Sequence, residues 1–209
     1  MKRLLLLAPL LAAFSITPLQ AQGTFRNLGF EEAQILPGDV TSNAIPGWSA
    51  FSGTNQLATI AYNNFFIFPI VGLYGSNSLV ISGDFTLFIS TTGSVSQINF
   101  VPADAQTLFF KSRGLQMAEL VVSLGGQSLL YSSISTGANY TLYGVDISNY
   151  AGQTTTLKFL ASGAGGFAID DIEFSSQAIP EPSTIVLLVL SGLLGVTNRF
   201  CKRRSKRHY

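Results

Sequence analysis

No stretch between Gln22 and Gln177 carries a helical period of apolar residues. Alternating, β-branched and aromatic segments recur instead, punctuated by Gly, Ser and Asn, as in a chain of strands. Residues 117–124 and 127–134 flank Gly125-Gly126, a two-residue hairpin turn. Residues 140–147 form a further strand, followed by a turn at Asn149-Tyr150-Ala151-Gly152 and a strand over 154–161. Gly163-Ala164-Gly165-Gly166 turns the chain into a last strand over 167–174. Upstream strands are expected at 57–62, 78–82, 96–100 and 107–111. Strands at this density predict an all-β fold, a two-sheet antiparallel jelly-roll sandwich.

The two ends break this pattern. Lys2-Arg3 precedes a short apolar stretch over 4–14, the charged start and apolar centre of a signal peptide. Cleavage is expected after Ala21, and an uncleaved N-terminal anchor is the weaker alternative because the stretch is short. At the other end, Ile179-Pro180-Glu181-Pro182-Ser183-Thr184 leads into an apolar run over 185–196 and then a basic tail. As a helix, residues 184–200 would span about 25 Å, short of a hydrocarbon core about 30 Å thick. Basic side chains beyond it would snorkel to the interface and make up the difference. The positive-inside preference puts the tail in the cytoplasm and everything before Pro180 outside.

Rigid Pro180-Glu181-Pro182, short apolar helix and arginine-rich end together resemble a PEP-CTERM sorting signal. The same tail is also catalogued as an ice-binding protein C-terminal motif, a label that implies nothing about ice. The resemblance implies an exosortase as processing partner, membrane attachment before processing, and a Gram-negative cell envelope, surface or extracellular matrix as destination. An ordinary single-span C-terminal anchor is the alternative. The expected organisation is a signal peptide over 1–21, a β-sandwich over 22–176, and a sorting signal over 177–209 with one transmembrane helix over about 184–200.

Charge sharpens the division. The whole chain carries a formal +1, but between residues 22 and 181 only Arg26, Lys111, Arg113 and Lys158 face all 11 acidic residues. An acidic domain lacks the clustered cations that bind phosphates, so no nucleic acid is expected as a partner. The single Cys, Cys201, lies in the tail, so no disulfide framework and no thiolate metal cluster is expected. The single His, His208, is also in the tail, which removes Ser–His and Cys–His catalysis from the outer domain. Gly163–Gly166 precedes a strand rather than a helix, so it is a turn and not a phosphate cradle. Two carboxylates could in principle serve glycoside hydrolysis, but no context marks an acid and a nucleophile. The expectation is no enzyme.

Asn27-Leu28-Gly29-Phe30-Glu31, then Ile45-Pro46-Gly47-Trp48, then Val145-Asp146-Ile147-Ser148-Asn149-Tyr150-Ala151-Gly152-Gln153, then Phe167-Ala168-Ile169-Asp170-Asp171-Ile172-Glu173-Phe174 form a second ordered series. It resembles the galactose-binding-domain-like jelly rolls of carbohydrate-binding modules. The resemblance implies a structural calcium joining first strand to last, held here by Glu31 and by Asp170 or Asp171. Calcium takes six to eight oxygens in irregular geometry, which suits such a site. The alternative is that these are solvated strand-end carboxylates. Neighbours in a strand point to opposite faces, so only one of Asp170 and Asp171 should ligate by its side chain.

For a ligand, aromatic residues crowd a stretch that also holds Asn63, Asn64 and Asn77. Sugars commonly pair a flat ring with amide hydrogen-bonders on loops. Trp48, Tyr62, Asn63 and Asn64 are the candidates, with Trp48 equally suited to plug the core. Lys111 and Arg113 could touch an anionic glycan or solvate a strand end. The functional expectation is a non-catalytic carbohydrate-binding-like module, exported and associated with exopolysaccharide. The alternative is a structural or adhesive surface protein with no specific sugar ligand.

Overall fold

A computed structural model describes residues 24–35, 40–41, 44–64, 70–75, 78–115 and 118–179. The expected signal peptide, the Pro180-Glu181-Pro182 motif, the 184–200 helix and the basic tail lie outside the described residues. Among the described residues no helix is long and apolar enough to cross a membrane.

In chain order the strands are β1 (Val40–Thr41), β2 (Ser49–Ser52), β3 (Asn55–Gln56), β4 (Ile60–Tyr62), β5 (Val71–Gly75), β6 (Phe85–Ser90) and β7 (Gly93–Phe100). They continue as β8 (Thr107–Leu115), β9 (Ala118–Leu124), β10 (Gln127–Leu129), β11 (Tyr131–Thr136), β12 (Thr141–Asp146), β13 (Thr154–Gly163) and β14 (Gly166–Ser175). One sheet of eight runs β1-β4-β5-β6-β14-β8-β12-β11, and a sheet of six runs β10-β9-β13-β7-β2-β3. From β6 to β9 each strand crosses to the opposite sheet, β12, β13 and β14 do the same, and β14 inserts between β6 and β8. The result is a β-sandwich in which the last strand lies central to one sheet.

Alternation along the strands explains the two-layer core. In β8, Leu108 and Phe110 are fully buried; in β13, Leu157, Phe159 and Ala161 point inward on every second position. Leu87 and Ile89 of β6 and Leu120, Val122 and Leu124 of β9 join the same cluster. Each large apolar side chain so buried contributes about 1.5–3 kcal/mol. A second, small cluster of Tyr74, Leu79 and Phe88 sits apart from the main core. Tyr74 and Phe88 alternate with the inward Leu73 and Leu87, so this cluster lies on the outer face of the eight-stranded sheet.

Several expectations need correction. Pairing is not wholly antiparallel: β4 and β5 run parallel, with Ala61 opposite Gly72 and Tyr62 opposite Leu73. Residues 127–134 are two strands, because Leu130, 96% exposed, is where the chain leaves β10 in one sheet for β11 in the other. Residues 78–82 form no strand. They fold over the outer sheet face, where the Ile81 amide donates to Thr86 Oγ1 (2.8 Å) and the Ser82 amide to Asp170 Oδ2 (3.2 Å). The hairpin at Gly125-Gly126 is as expected, with φ of 60° and 81°, the doubly positive pair that a type I′ turn requires. Near the expected turn at 149–152, Ser148–Tyr150 make one 3-10 turn.

Candidate functional site

The loop after Thr24 is built on two left-handed residues, Asn27 (φ 51°) and Phe30 (φ 62°). Asn27 holds it together: its Oδ1 accepts from the Glu32 amide (3.0 Å) and its Nδ2 donates to the Pro46 carbonyl (3.0 Å). The Ile172 amide donates to the Leu28 carbonyl (3.0 Å), which ties this first loop to the last strand. Glu31, Asp170 and Asp171 meet at that junction. A Cβ placed on Gly29 would lie 3.4 Å from Asp171 Oδ1, 3.8 Å from Glu31 Cγ and 3.9 Å from Asp170 Oδ1. Both aspartates therefore turn one oxygen toward Gly29, against the expectation from strand alternation. The reason is a bulge: the β14–β8 register shifts between Asp170 and Glu173, and Asp171 takes φ 44°.

Each of the three carboxylates already has protein partners. Both Glu31 oxygens accept from the Asp84 amide (3.1 Å each), and Oε1 also from the Phe85 amide (3.2 Å). Asp170 is fully buried and accepts from Thr86 Oγ1 (2.5 Å), the Ser82 amide and the Asp171 amide (2.8 Å). Burial pushes its carboxyl up to about 7, although these hydrogen bonds pull the other way. Asp171 Oδ2 receives the Lys111 ammonium at 2.6 Å. That hydrogen bond raises the Lys111 pKa, and the ammonium also lies 4.8 Å from the Tyr140 ring centre. The donor set fits calcium poorly. Among the described residues no three His, Cys, Asp or Glu side chains are grouped to hold a metal. An ammonium on Asp171 would repel a second cation.

The four ligand candidates do not form one surface. Trp48 is a core residue: it is 8% exposed, its ring centre lies 5.8 Å from Phe30 and 6.3 Å from Phe159, and its Nε1 donates to the Asn27 carbonyl (3.1 Å). Trp48 also lines a hollow of about 220 Å³ with Pro46, Gly47 and Gln56, but a ring so covered has little face left for a sugar. Tyr62 is half-buried and packs at 6.3 Å on Phe85. Asn63, at φ 49°, accepts from the Gly75 amide (2.9 Å) through Oδ1, and the Asn64 carbonyl accepts from Tyr74 (3.1 Å). These contacts shape the turn beyond β4 and set its position against β5. Of the cations, Lys111 is committed to Asp171, and Arg113 donates to the Ser78 carbonyl (3.0 Å) of the covering loop.

A hollow of about 400 Å³ lies instead on the outer face of the eight-stranded sheet. Phe109 of β8, Ile134 of β11 and Leu142 of β12 give it apolar walls; Glu173, Ser175 and Gln177 give it a polar rim. Register brings them together, since Phe109 lies opposite Gly144 on one side and Glu173 on the other. Gly144 makes room: a Cβ there would stand 3.2 Å from both Ile134 and Phe109 side chains. The rim is fixed where the chain leaves β14, because Thr107 Oγ1 donates to the Gln177 carbonyl (2.7 Å) and the Gln106 amide to that of Ser175 (2.8 Å). Two pairs further along the sheet, and so on the same face, Leu142 lies opposite Lys111. The sequence reading missed these residues. One signal was present: Phe109-Phe110 adjoin in a strand, and neighbours face opposite ways, so one ring had to leave the core.

No family model matches the chain, and no curated protein matches it. Among solved structures it is similar to the carbohydrate-binding module TmCBM61 in complex with β-1,4-galactotriose, at 14% identity and a TM-score of 0.48, over 74% of this chain and 99% of that one. It is also similar to the enzymatically active domain of tailspike protein 4 of bacteriophage CBA120, at 14% identity and a TM-score of 0.39, over 72% of this chain and 21% of that one.

Proposed function

We propose that this chain is an exported, non-catalytic jelly-roll module that takes up an uncharged polysaccharide on the outer face of its eight-stranded sheet. The observation that carries the reading is the hollow with apolar walls and a hydrogen-bonding rim. A pyranose ring has the matching chemistry, C–H groups on its faces and hydroxyls at its edge, and binding sites commonly join apolar walls to a few placed polar groups. The jelly-roll label is supported by strand order, with β14 between β6 and β8 and consecutive strands alternating between sheets. The acidic excess of the outer domain disfavours uronates and phosphates as ligands. Glu173 is the one titratable group among the residues lining the hollow, whereas glycoside hydrolysis calls for two carboxyls.

The ends of the sequence support the address. Lys2-Arg3 with its apolar stretch supports export, and Pro180-Glu181-Pro182 with its apolar run and basic tail supports membrane insertion and exosortase processing at a Gram-negative cell surface. A purely adhesive role is the second reading. It is favoured by Leu130, 96% exposed beside the sheet-edge strand β11, where another chain could pair. The full chain on an array of neutral and anionic polysaccharides separates the two: retention on neutral glycans without release of reducing ends supports the first. A blank array with concentration-dependent self-association supports the second.

A further inference from the structure

The fold brings acidic side chains to the junction between the first loop and the last strand, and Asp171, partly enclosed there, needs a counter-ion. We propose that Lys111 is that counter-ion, a cation carried by the chain itself, so that this junction is held without a bound metal. Lys111 leaves β8 on the outer face of the sheet, directly opposite Asp170 in the β14–β8 register. The bulge at Asp171 delivers that carboxylate to the ammonium at 2.6 Å, and the Tyr140 ring 4.8 Å away adds a second attractive surface for the cation. The pair is partly enclosed, with side chains 25% and 39% exposed, so solvent screens it less than a free surface pair.

The other two carboxylates are answered by neutral donors. Glu31 is received by the amides of Asp84 and Phe85, and a Cβ on Gly83 would overlap its Oε1, so glycine leaves room for the carboxylate here. Asp170 is received by Thr86, Ser82 and the Asp171 amide. Four segments far apart in sequence thus meet at one clasp: the first loop, the 82–86 turn, β8 and β14. Asp171 is the carboxylate that receives a charged partner, and Lys111 supplies it.

The test is thermal unfolding of the full chain in mild detergent, in calcium and in EDTA, for the native protein, Lys111→Met, Lys111→Arg, Asp171→Asn and the Lys111→Met/Asp171→Asn pair. The native melting temperature is expected to be the same in calcium and EDTA. Lys111→Met should lower it by about 3–6 °C, Lys111→Arg should recover most of that loss, and Asp171→Asn should cost little once Lys111 is gone. Asn tolerates the left-handed backbone at position 171, so that variant isolates the charge. A clear fall in EDTA for the native chain would overturn the proposal, as would additive losses from Lys111→Met and Asp171→Asn.

Discussion

Asp170 is fully buried yet ionisable, and its carboxyl is raised from an ordinary 3.8 to about 7 by loss of solvent. The sign follows from proton linkage. Between about pH 4 and pH 7 the folded chain keeps a proton that the unfolded chain has released, so this residue's contribution to stability falls as pH rises and is flat above the folded value. Asp170→Asn removes the titration. Urea unfolding of both proteins across that range should show the native chain losing stability relative to the variant with rising pH, by at most about 4 kcal/mol. A constant difference would contradict the assignment. Gly83, at φ 59° beneath the Glu31 carboxylate, shows what sequence hides at this scale. As a letter it marks a turn; that the turn exists to receive a carboxylate from 52 positions earlier depends on the folded chain.

The strands divide into those whose signals are local and those whose signals are not. The β9–β10 hairpin is the local kind: alternating apolar positions on both sides of Gly125-Gly126, and positive φ at both glycines. A Cβ on Gly126 would meet nothing within 4 Å, so its substitution tests backbone conformation alone. Gly126→Ala should cost about 1 kcal/mol and Gly126→Asn less, because Asn tolerates the left-handed region. Chemical denaturation measures both, and equal costs would contradict a conformational origin. β14 was legible for the same reason, an apolar alternation after a glycine turn. The strands β2, β5 and β6 escaped notice because their residues are buried on both sides or interrupted. Val71–Gly75 is buried throughout and carries two glycines, so no alternation survives to be read. Residues 78–82 had the opposite fault: the apolar, partly β-branched run Leu79-Val80-Ile81 reads as a strand but serves as a cover over Asp170, tied there by amides at Ile81 and Ser82.

In the whole molecule, the packed interior and the proposed binding hollow occupy different faces of the eight-stranded sheet. Trp48, conspicuous in sequence beside Pro46-Gly47, belongs to the interior between the two sheets, with Phe30 and Phe159. Of Phe109, Ile134 and Leu142 only Phe109, beside Phe110, leaves a trace in the sequence, since they lie on three strands and only pairing across β8, β12 and β11 gathers them. An all-β sandwich could be read from turn spacing and alternation, whereas a site assembled by register could not. Binding of polysaccharide in the outer-face hollow separates these two sets of residues. The direct measurement is affinity electrophoresis of the full chain through gels containing a neutral polysaccharide that retains it, comparing native, Phe109→Ala and Trp48→Phe proteins. Phe109→Ala should abolish retardation, at least tenfold in apparent affinity, while melting within a few degrees of native. Trp48→Phe should melt lower and be retarded like the native chain. Native-like retardation of Phe109→Ala, with retardation lost in a folded Trp48→Phe protein, would contradict it.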